Sequence, residues 1–271
     1  MAEPILYESH MHTPLCRHAD GEPEDYAAEA QKRGLKGIIV TCHSPTPYAW
    51  WHCMDESELP EYLRIIQRAR EEYRGRVDVR AGLECDYLPD LEPWLREHLS
   101  KLELHHVLGS IHPQVKSYRD LFWTGDAVKY QRTYFENLAR AAESKLFDTL
   151  SHPDLVKNEA PREWNLERIW PDIESALDRI AATGVAMELN TSGLQKSVPE
   201  MNPNPAMLSA MRARNIPVVI GSDAHSPLRV AADWELALDL LRDAGYERVS
   251  YFLERSRHDI PLETARMSLK N

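Results

Sequence analysis

The segment Tyr7-Glu8-Ser9-His10-Met11-His12 begins in a short apolar run, Ile5 to Tyr7, that we predict to be a β-strand. Side chains alternate across a strand, so His10 and His12, two positions apart, point to the same side. Two imidazoles on one side of a strand end can bind one metal ion. An isolated pair of this kind also arises by accident among surface histidines, so the pattern needs support from the rest of the chain.

The rest of the chain alternates apolar, strand-like runs with amphipathic helical patterns. Further strands are predicted at residues 37–43, 77–84, 105–112, 146–152, 185–191, 217–223 and 249–252, and helices at 23–33, 58–73, 92–102, 128–144, 166–183, 205–214 and 231–244. Strict alternation predicts a parallel sheet with helical crossovers. Seven such units without a composition break predict an α/β fold, one closed or nearly closed barrel domain over residues 1–271. The chain has no Gly-rich phosphate-binding loop, so a dinucleotide-binding sheet is the weaker alternative.

Composition narrows the class of protein. The formal net charge of −11 argues against nucleic acid as a main partner. We recognise no signal peptide and no apolar run that could cross a bilayer, so we expect a cytoplasmic protein with no membrane partner. The four cysteines, Cys16, Cys42, Cys53 and Cys85, form no C-x-x-C pair, and we expect them to be free thiols.

Residue types that bind metals recur where the predicted strands end. They are His43, Glu84, His112 and His152 at the ends of the second to fifth strands, Asp223 and His225 after the seventh, and His18 in the loop after the first. In a parallel barrel all of these strand ends meet at one face. Together with His10 and His12 they exceed the needs of one tetrahedral site, which predicts more than one ion. Mixed imidazole and carboxylate ligands favour Zn, Mn or Fe over Ca or Mg.

Five segments resemble motifs of one enzyme family. They are HMHTPLCRHA at 10–19, LGSIH at 108–112, SHPDLVK at 151–157, ELNTSGLQK at 188–196 and GSDAH at 221–225, and the ending Tyr251-Phe252 with Pro261-Leu262 also fits. On these motifs the chain resembles the polymerase and histidinol phosphatase (PHP) superfamily of metal-dependent phosphoesterases, and most of all its histidinol-phosphate phosphatases. The resemblance covers nearly the whole chain.

The resemblance implies a distorted (β/α)7, TIM-like barrel with a trinuclear centre of divalent transition metals. His10, His12, Glu84 and Asp223 would bind the first ion, Glu84 with His112 and His152 the second, and His18, His43 and His225 the third. The implied catalytic residues are Glu84, Asp223 and His225. The implied reaction is hydrolysis of L-histidinol phosphate, in histidine synthesis, by a metal-bridging hydroxide.

Substrate contacts are expected from cations in loops beyond the strand ends, Arg17, Lys157, Lys196 and Arg229. Each of them could equally be a solvated surface charge. Lys157 and Lys196 lie inside the resembling motifs and are therefore favoured. Asp120 or Asp126 could contact the ammonium of an aminoalcohol phosphate. Trp50 and Trp51 could form a pocket wall or a satellite core.

Two segments depart from the family pattern. Family members often carry Asp before the histidine that closes the second strand, where this chain has Cys42. Adjacent strand residues face opposite ways, so we expect Cys42 to pack outward and to bind no metal. The second departure is Pro113-Gln114-Val115-Lys116 after His112, which is less aromatic than in histidinol phosphatases and bears on substrate choice.

Three other functions stay open at this stage. One is a related phosphoesterase that acts on other phosphate monoesters or on nucleotides. Another is a non-catalytic barrel stabilised by metal, against which the complete ligand set argues. A third is a metal-dependent amidohydrolase. Those enzymes commonly bridge their metals with a carboxylated lysine, whereas Glu84 takes the bridging role here.

Overall fold

The computed structural model describes residues 4–48 and 52–270. Within these ranges nine strands form one sheet in chain order. They are β1 (Tyr7–Glu8), β2 (Gly37–Val40), β3 (Asp78–Asp86), β4 (His106–Ser110), β5 (Thr149–Leu150), β6 (Ala186–Asn190), β7 (Val218–Gly221), β8 (Arg248–Leu253) and β9 (Ser256–Pro261). Pairing is parallel from β1 to β8, and β9 returns antiparallel to β8. The predicted parallel α/β sheet is confirmed.

The helices that cover this sheet lie close to the predicted positions. They are α1 (Pro23–Arg33), α2 (Leu59–Glu72), α3 (Glu92–Leu99), α4 (Lys116–Phe122), α5 (Ala127–Glu143), α6 (Leu166–Thr183), α7 (Pro205–Ala213), α8 (Trp234–Asp243) and α9 (Leu262–Ser268). The sequence did not predict α4, α9 or β9. Most side chains of β9 are exposed, and α4 buries only Tyr118, so these two elements lack the apolar period that identifies the predicted ones. None of the helices in the described ranges is long and apolar enough to cross a membrane.

Helix α6 shows how local sequence sets these elements. The Asn165 side chain accepts a hydrogen bond from the backbone N of Arg168 at 2.9 Å and caps the first turn. Ile169, Ile173, Leu177 and Ile180 form the buried stripe that faces the core. Gly184 ends the helix at φ 77°, a left-handed conformation that glycine adopts without strain.

The sheet curls into a distorted barrel whose strand ladder stays open between β1 and β9. One parallel bridge links Met11, after β1, to Ala224, after β7. The backbone N of His12 donates to Ala224 O, and the backbone N of Ala224 donates to His10 O, both at 3.0 Å. The bridge therefore brings the first and seventh strand ends together, which places His10 and His12 beside the Asp223 segment.

Burial in the central strands leaves only their ends for chemistry. Every residue of β2, β4, β6 and β7 is buried, as expected for parallel strands covered by helices. The first and fifth strands are shorter than predicted, because β1 covers only Tyr7–Glu8 and β5 only Thr149–Leu150. The histidines that follow these two strands consequently lie on irregular segments past the sheet.

Candidate metal centre

All nine side chains predicted to bind metal meet at the C-terminal ends of the strands. Glu84, near the end of β3, is buried at their centre. Its carboxylate oxygens lie 2.9 Å from His43 Nδ1, 3.1 Å from His152 Nε2, 3.4 Å from His10 Nε2, 3.5 Å from His112 Nε2 and 3.7 Å from His12 Nε2. Five imidazoles from four separate strand ends therefore surround one carboxylate, which is consistent with the predicted bridging role.

Asp223 supplies the second carboxylate. Its Oδ1 lies 3.1 Å from His12 Nε2 and 3.5 Å from His10 Nε2. Its Oδ2 accepts a hydrogen bond from Ser192 Oγ at 3.0 Å. Asp223 has φ 49°, in the left-handed region that aspartate tolerates better than most residues. This backbone turn aims the carboxylate back at the two histidines that follow β1.

Gly221 makes the close approach of β7 possible. A Cβ atom at this position would overlap the Glu188 carboxylate and would lie 2.9 Å from His10 Cβ. Any other residue would consequently push β7 away from β6 and from the segment after β1. The glycine of the GSDAH motif is explained by this packing.

His18 and His225 form the outer part of the centre. Their Nε2 atoms lie 2.9 Å apart. The Nδ1 atom of His18 is 2.7 Å from Cys16 O, and that of His225 is 3.0 Å from Asp223 O. Each ring is thus oriented by a backbone carbonyl, and the two Nε2 atoms are left facing each other. This is the arrangement expected when two imidazoles share an ion.

Two carboxylates that the sequence analysis missed orient the inner histidines. His10 Nδ1 lies 2.6 Å from Glu188 Oε1, and His112 Nδ1 lies 2.5 Å from Asp86 Oδ1. Glu188 also accepts the backbone N–H of His152 at 2.8 Å. Metal-binding histidines usually donate their second ring N–H to such a partner. Asp86 lies two residues after Glu84 on β3, so the strand period alone could have identified it.

Glu8 is a third carboxylate that the sequence analysis missed. It accepts hydrogen bonds from Ser222 Oγ at 2.6 Å and from the backbone N atoms of Ser222, His10 and Ala231 at 3.1–3.2 Å. Burial raises its pKa to about 7. Because these bonds reach across from β1 to the segments after β7, Glu8 holds His10 and Asp223 in register.

Glu84 and Asp223 stay ionised, because the pKa of each is held well below its usual range. Burial by itself raises the pKa of Glu84, but the imidazoles of His43 and His10 outweigh burial and hold that pKa well below its usual range. Burial lowers the pKa of His12, but its hydrogen bond to Asp223 and the charge of Glu84 raise it to about 9. Buried negative charge that is compensated mainly by imidazoles is an environment that binds cations.

Several buried polar atoms fit a bound cation better than they fit each other. His43 Nδ1 and Glu84 Oε2 are 2.9 Å apart, yet neither forms an aligned hydrogen bond, and His10 Nε2 has no hydrogen-bond partner among the described residues. Such buried atoms are costly without a partner. Ligand atoms lie within 4.8 Å of one another in the groups His10–His12–Asp223, His43–Glu84–His112 and His12–His43–His225. In the described ranges His225 belongs both to a group with His43 and to a group with His18 and Cys16, and no group of three joins His18 to His43.

A cavity of about 340 Å³ opens onto this centre. It is lined by His18, His43, His52, His112, Gln114, Val115, His152, Leu155, Lys196, Asp223 and His225. Lys196 is the one cation among the four predicted substrate contacts that lines it, and its Nζ lies 3.9 Å from Asp223 Oδ2. The cavity therefore combines histidine nitrogens, one lysine ammonium and a small apolar wall.

The structure places the other three predicted cations elsewhere. Lys157 is fully buried, and its Nζ donates to Asp154 at 3.1 Å, Glu200 at 3.1 Å and Met201 O at 3.0 Å. Arg17 pairs with Glu58, and Arg229 pairs with Asp233 at 3.0 Å, both off the cavity wall. In this structure the Lys157 ammonium neutralises a buried carboxylate and does not line the cavity, so its contact with substrate stays a prediction that the geometry does not favour.

The remaining predictions have mixed outcomes. Asp126 caps helix α5 by accepting the backbone N–H groups of Val128 and Lys129, and Asp120 is an exposed partner of Lys116, so neither lines the cavity. Trp50 and Trp51 lie outside the described residues. Cys42 is fully buried, and its sulfur contacts Thr13 at 3.3–3.4 Å.

The barrel and its site define the class as a histidine-rich, metal-binding α/β barrel. The PHP domain matches residues 8–192. The chain is 37% identical over 262 residues to the "Probable histidinol-phosphatase" of Deinococcus radiodurans, covering 91% of this chain and 96% of that protein. It is 25% identical over 263 residues to the histidinol-phosphatase of Bacillus subtilis, covering 86% of this chain and 98% of that protein. The chain therefore belongs to the PHP domain family.

A solved structure has the same fold. The histidinol phosphate phosphatase of Lactococcus lactis, described in complex with zinc, L-histidinol and phosphate, superposes with a TM-score of 0.76 at 18% identity. The match covers 93% of this chain and 98% of that one. This similarity extends over nearly the whole chain and confirms the TIM-like barrel architecture.

Proposed function

We propose that this chain is a metal-dependent phosphate monoester hydrolase that converts L-histidinol phosphate to L-histidinol and phosphate. The observation that carries the proposal is the convergence of seven histidines and two carboxylates on one centre that opens to a cavity. The names of the relatives in Deinococcus radiodurans and Bacillus subtilis support the substrate. A purely structural barrel gives no reason to keep such a centre open to a cavity.

In this proposal the centre holds three divalent transition-metal ions, Zn, Mn or Fe. The first is bound by His10, His12, Glu84 and Asp223, the second by Glu84, His112 and His152, and the third by His18, His43 and His225. The short separations around Glu84 and between His18 and His225 support these groupings. Zinc is favoured, because the Lactococcus lactis relative is described with zinc.

The proposed catalytic residues are Glu84, Asp223 and His225. When bound, the ions supply positive charge for the phosphate oxygens and acidify water for attack on phosphorus. Glu84 stays ionised and sets the spacing of the surrounding imidazoles. Asp223 and His225 line the cavity beside Lys196, whose ammonium is the protein cation placed to bind a phosphate oxygen. Arg17, Lys157 and Arg229 have no such role in this proposal.

Substrate choice depends on the outer cavity, because the ions read only the phosphate. Gln114 offers an amide for polar groups of the alcohol, and Val115 and Leu155 offer apolar contact to an imidazole ring. A site that hydrogen-bonds polar groups rejects analogues without them by orders of magnitude, whereas apolar contact alone gives about 10–200-fold. A cavity of about 340 Å³ is at the small end for ligand pockets, which favours a small monoester over a polymer.

The experiment measures kcat/KM for L-histidinol phosphate, an aryl phosphate and nucleoside 5′-monophosphates at constant metal content. We expect L-histidinol phosphate to be the best substrate. Equal values for all monoesters, or a nucleotide at the top, would leave phosphoesterase chemistry standing and refute histidine synthesis as its purpose.

Metal content is tested separately by elemental analysis of protein purified without chelator. We expect about three ions per chain, from the number of ligands against the roughly three that an open site uses. One ion or none, even after reconstitution with Mn or Zn, would refute the trinuclear centre.

A further inference from the structure

Two buried thiols lie directly behind the metal centre. Cys42 follows β2 and immediately precedes His43, and Cys16 ends the short 3-10 turn Pro14–Cys16 between His12 and His18. Both side chains are fully buried. Their sulfur atoms and one ring nitrogen of His12 all lie within 4.8 Å of one another. The thiols consequently sit where the chain carries two proposed metal-binding histidines into the site.

The Cys42 sulfur is a hydrogen-bond acceptor for this turn. It accepts from the backbone N of Thr13 at 3.4 Å and from Thr13 Oγ1 at 3.3 Å. The backbone N of Cys42 in turn donates to Tyr62 Oη at 3.2 Å, and that hydroxyl lies 2.8 Å from Val40 O. Because β2 and Tyr62 hold Cys42 rigidly, its sulfur fixes the residue that follows His12.

Cys16 faces the rings themselves. Its sulfur lies within 4.8 Å of a ring nitrogen of His12 and of a ring nitrogen of His18, and its backbone carbonyl accepts from His18 Nδ1 at 2.7 Å. His12 Nε2 is directed to Asp223, whereas its buried Nδ1 has no aligned hydrogen-bond partner among the described residues. The His10 ring has the Glu188 carboxylate beside its Nδ1, the nitrogen that faces away from the centre. Beside the Nδ1 of His12 a sulfur takes the place of that carboxylate.

We propose that Cys16 and Cys42 are positioning residues that hold the His12–His18 turn in its metal-binding conformation. Cys42 anchors the backbone at Thr13, and Cys16 packs against the two rings without binding metal. This inference rests on the proposed metal centre. The test therefore measures metal binding of each variant relative to the unmodified chain, so that the two proposals fail in different ways.

The test compares Cys42→Ala, Cys42→Ser and Cys16→Ala with Cys85→Ala as a matched control. Cys85 is likewise a buried cysteine adjacent to a proposed ligand, Glu84, but it lies on β3 away from the turn. Each protein is stripped and refilled with Zn²⁺, bound ions are counted, and affinities are measured by competition with a chromophoric chelator. Thermal unfolding of the stripped proteins shows whether each variant folds normally.

We expect Cys42→Ala and Cys16→Ala to weaken binding of the first and third ions, which His12 and His18 bind in our proposal, by about 10–100-fold while the second ion remains. Cys42→Ser keeps an acceptor for Thr13 and should restore most of that affinity, and Cys85→Ala should bind as the unmodified chain does. A general loss of folding would not produce this selective loss or its rescue by serine.

Two results would overturn the inference. Equal affinities in all variants would show that the sulfurs do not position the turn. A sulfur-to-metal charge-transfer band in the Co²⁺-loaded chain that disappears in Cys16→Ala or Cys42→Ala would show that the thiols are ligands instead. If the unmodified chain itself binds no ion, the proposed metal centre fails first.

Discussion

Strand β4 carries a buried histidine at each end, and their surroundings are opposite. His106, at its start, bonds Thr149 Oγ1 through Nε2 at 2.8 Å and stacks on Phe252 with ring centroids 5.0 Å apart. Burial lowers the pKa of His106 to about 3. His112, just past the other end, has Asp86 2.5 Å from Nδ1 and Glu84 3.5 Å from Nε2.

The comparison shows that burial of an imidazole does not make it a metal ligand. His106 is neutral, and its Nε2 bonds a hydroxyl while its Nδ1 has no hydrogen-bond partner among the described residues. Within the described ranges no carboxylate lies within ion-pair distance of it. His112 lies between two carboxylates. Asp86 orients its Nδ1, and its Nε2 therefore faces Glu84 at the metal centre. His106 at the start of β4 thus serves packing, whereas His112 past the other end serves catalysis in our proposal.

The largest expected effect is at Glu84, the carboxylate that five histidines surround. Glu84→Gln should lower kcat by about 10²–10³-fold or more, because it removes the charge that orders five imidazoles and two proposed ions. Thermal stability should change much less. Phosphate release and melting temperature are to be measured on one sample, and near-normal turnover would place the bridge on another residue.

A smaller effect is expected from the carboxylate that orients His10. Glu188→Gln leaves one oxygen for three donors, which are the His10 ring, the backbone N of His152 and the Asn190 side-chain amide. We expect metal affinity to fall about 10–100-fold. The matched control is Asp148→Asn, a partly buried carboxylate at the opposite end of the sheet that accepts from Val107 N and pairs with Arg255. If Asp148→Asn weakens metal binding as much as Glu188→Gln does, the two ends of the sheet do not differ in the way proposed.

Lys196→Ala should lower kcat/KM for phosphate esters by about tenfold or more, chiefly through KM. A charge-assisted hydrogen bond contributes about 1.5–3 kcal/mol, and Lys196 lines the cavity. Arg229→Ala should have less effect, because Arg229 pairs with Asp233 off the cavity. A greater loss for Arg229→Ala would place phosphate binding in the loop after β7.

The smallest effect on catalysis is expected from a change at His106, at the start of β4. Because the pKa of His106 falls from 6.5 unfolded to about 3 folded, the unfolded chain binds a proton that the folded chain does not. Stability should therefore fall by up to about 1.4 kcal/mol per pH unit below pH ~6.5. His106→Gln should remove this contribution and leave kcat at neutral pH unchanged. Urea unfolding of metal-free protein between about pH 7.5 and 5 checks this, and identical slopes would contradict it.

The sequence alone was sufficient for the architecture and for the location of the site. Apolar runs alternating with helical stripes predicted the parallel sheet, and strand direction then placed His43, Glu84 and His112 at one face. The period of two put His10 beside His12 in the same way. These inferences succeed because they depend only on local periodicity and on the parallel direction of strands, both of which a sequence displays.

Only the tertiary structure decided which side chains meet. Lys157 and Lys196 both lie in family motifs, yet one neutralises Asp154 in the core and the other lines the cavity. Glu188 reaches His10 because Gly221 lets two strands approach closely. The side-chain partners of a loop or strand end depend on register and packing across residues far apart in the chain. Local periodicity carries no information about those contacts, so residues such as Glu188 and Cys42 acquire their roles only in the folded barrel.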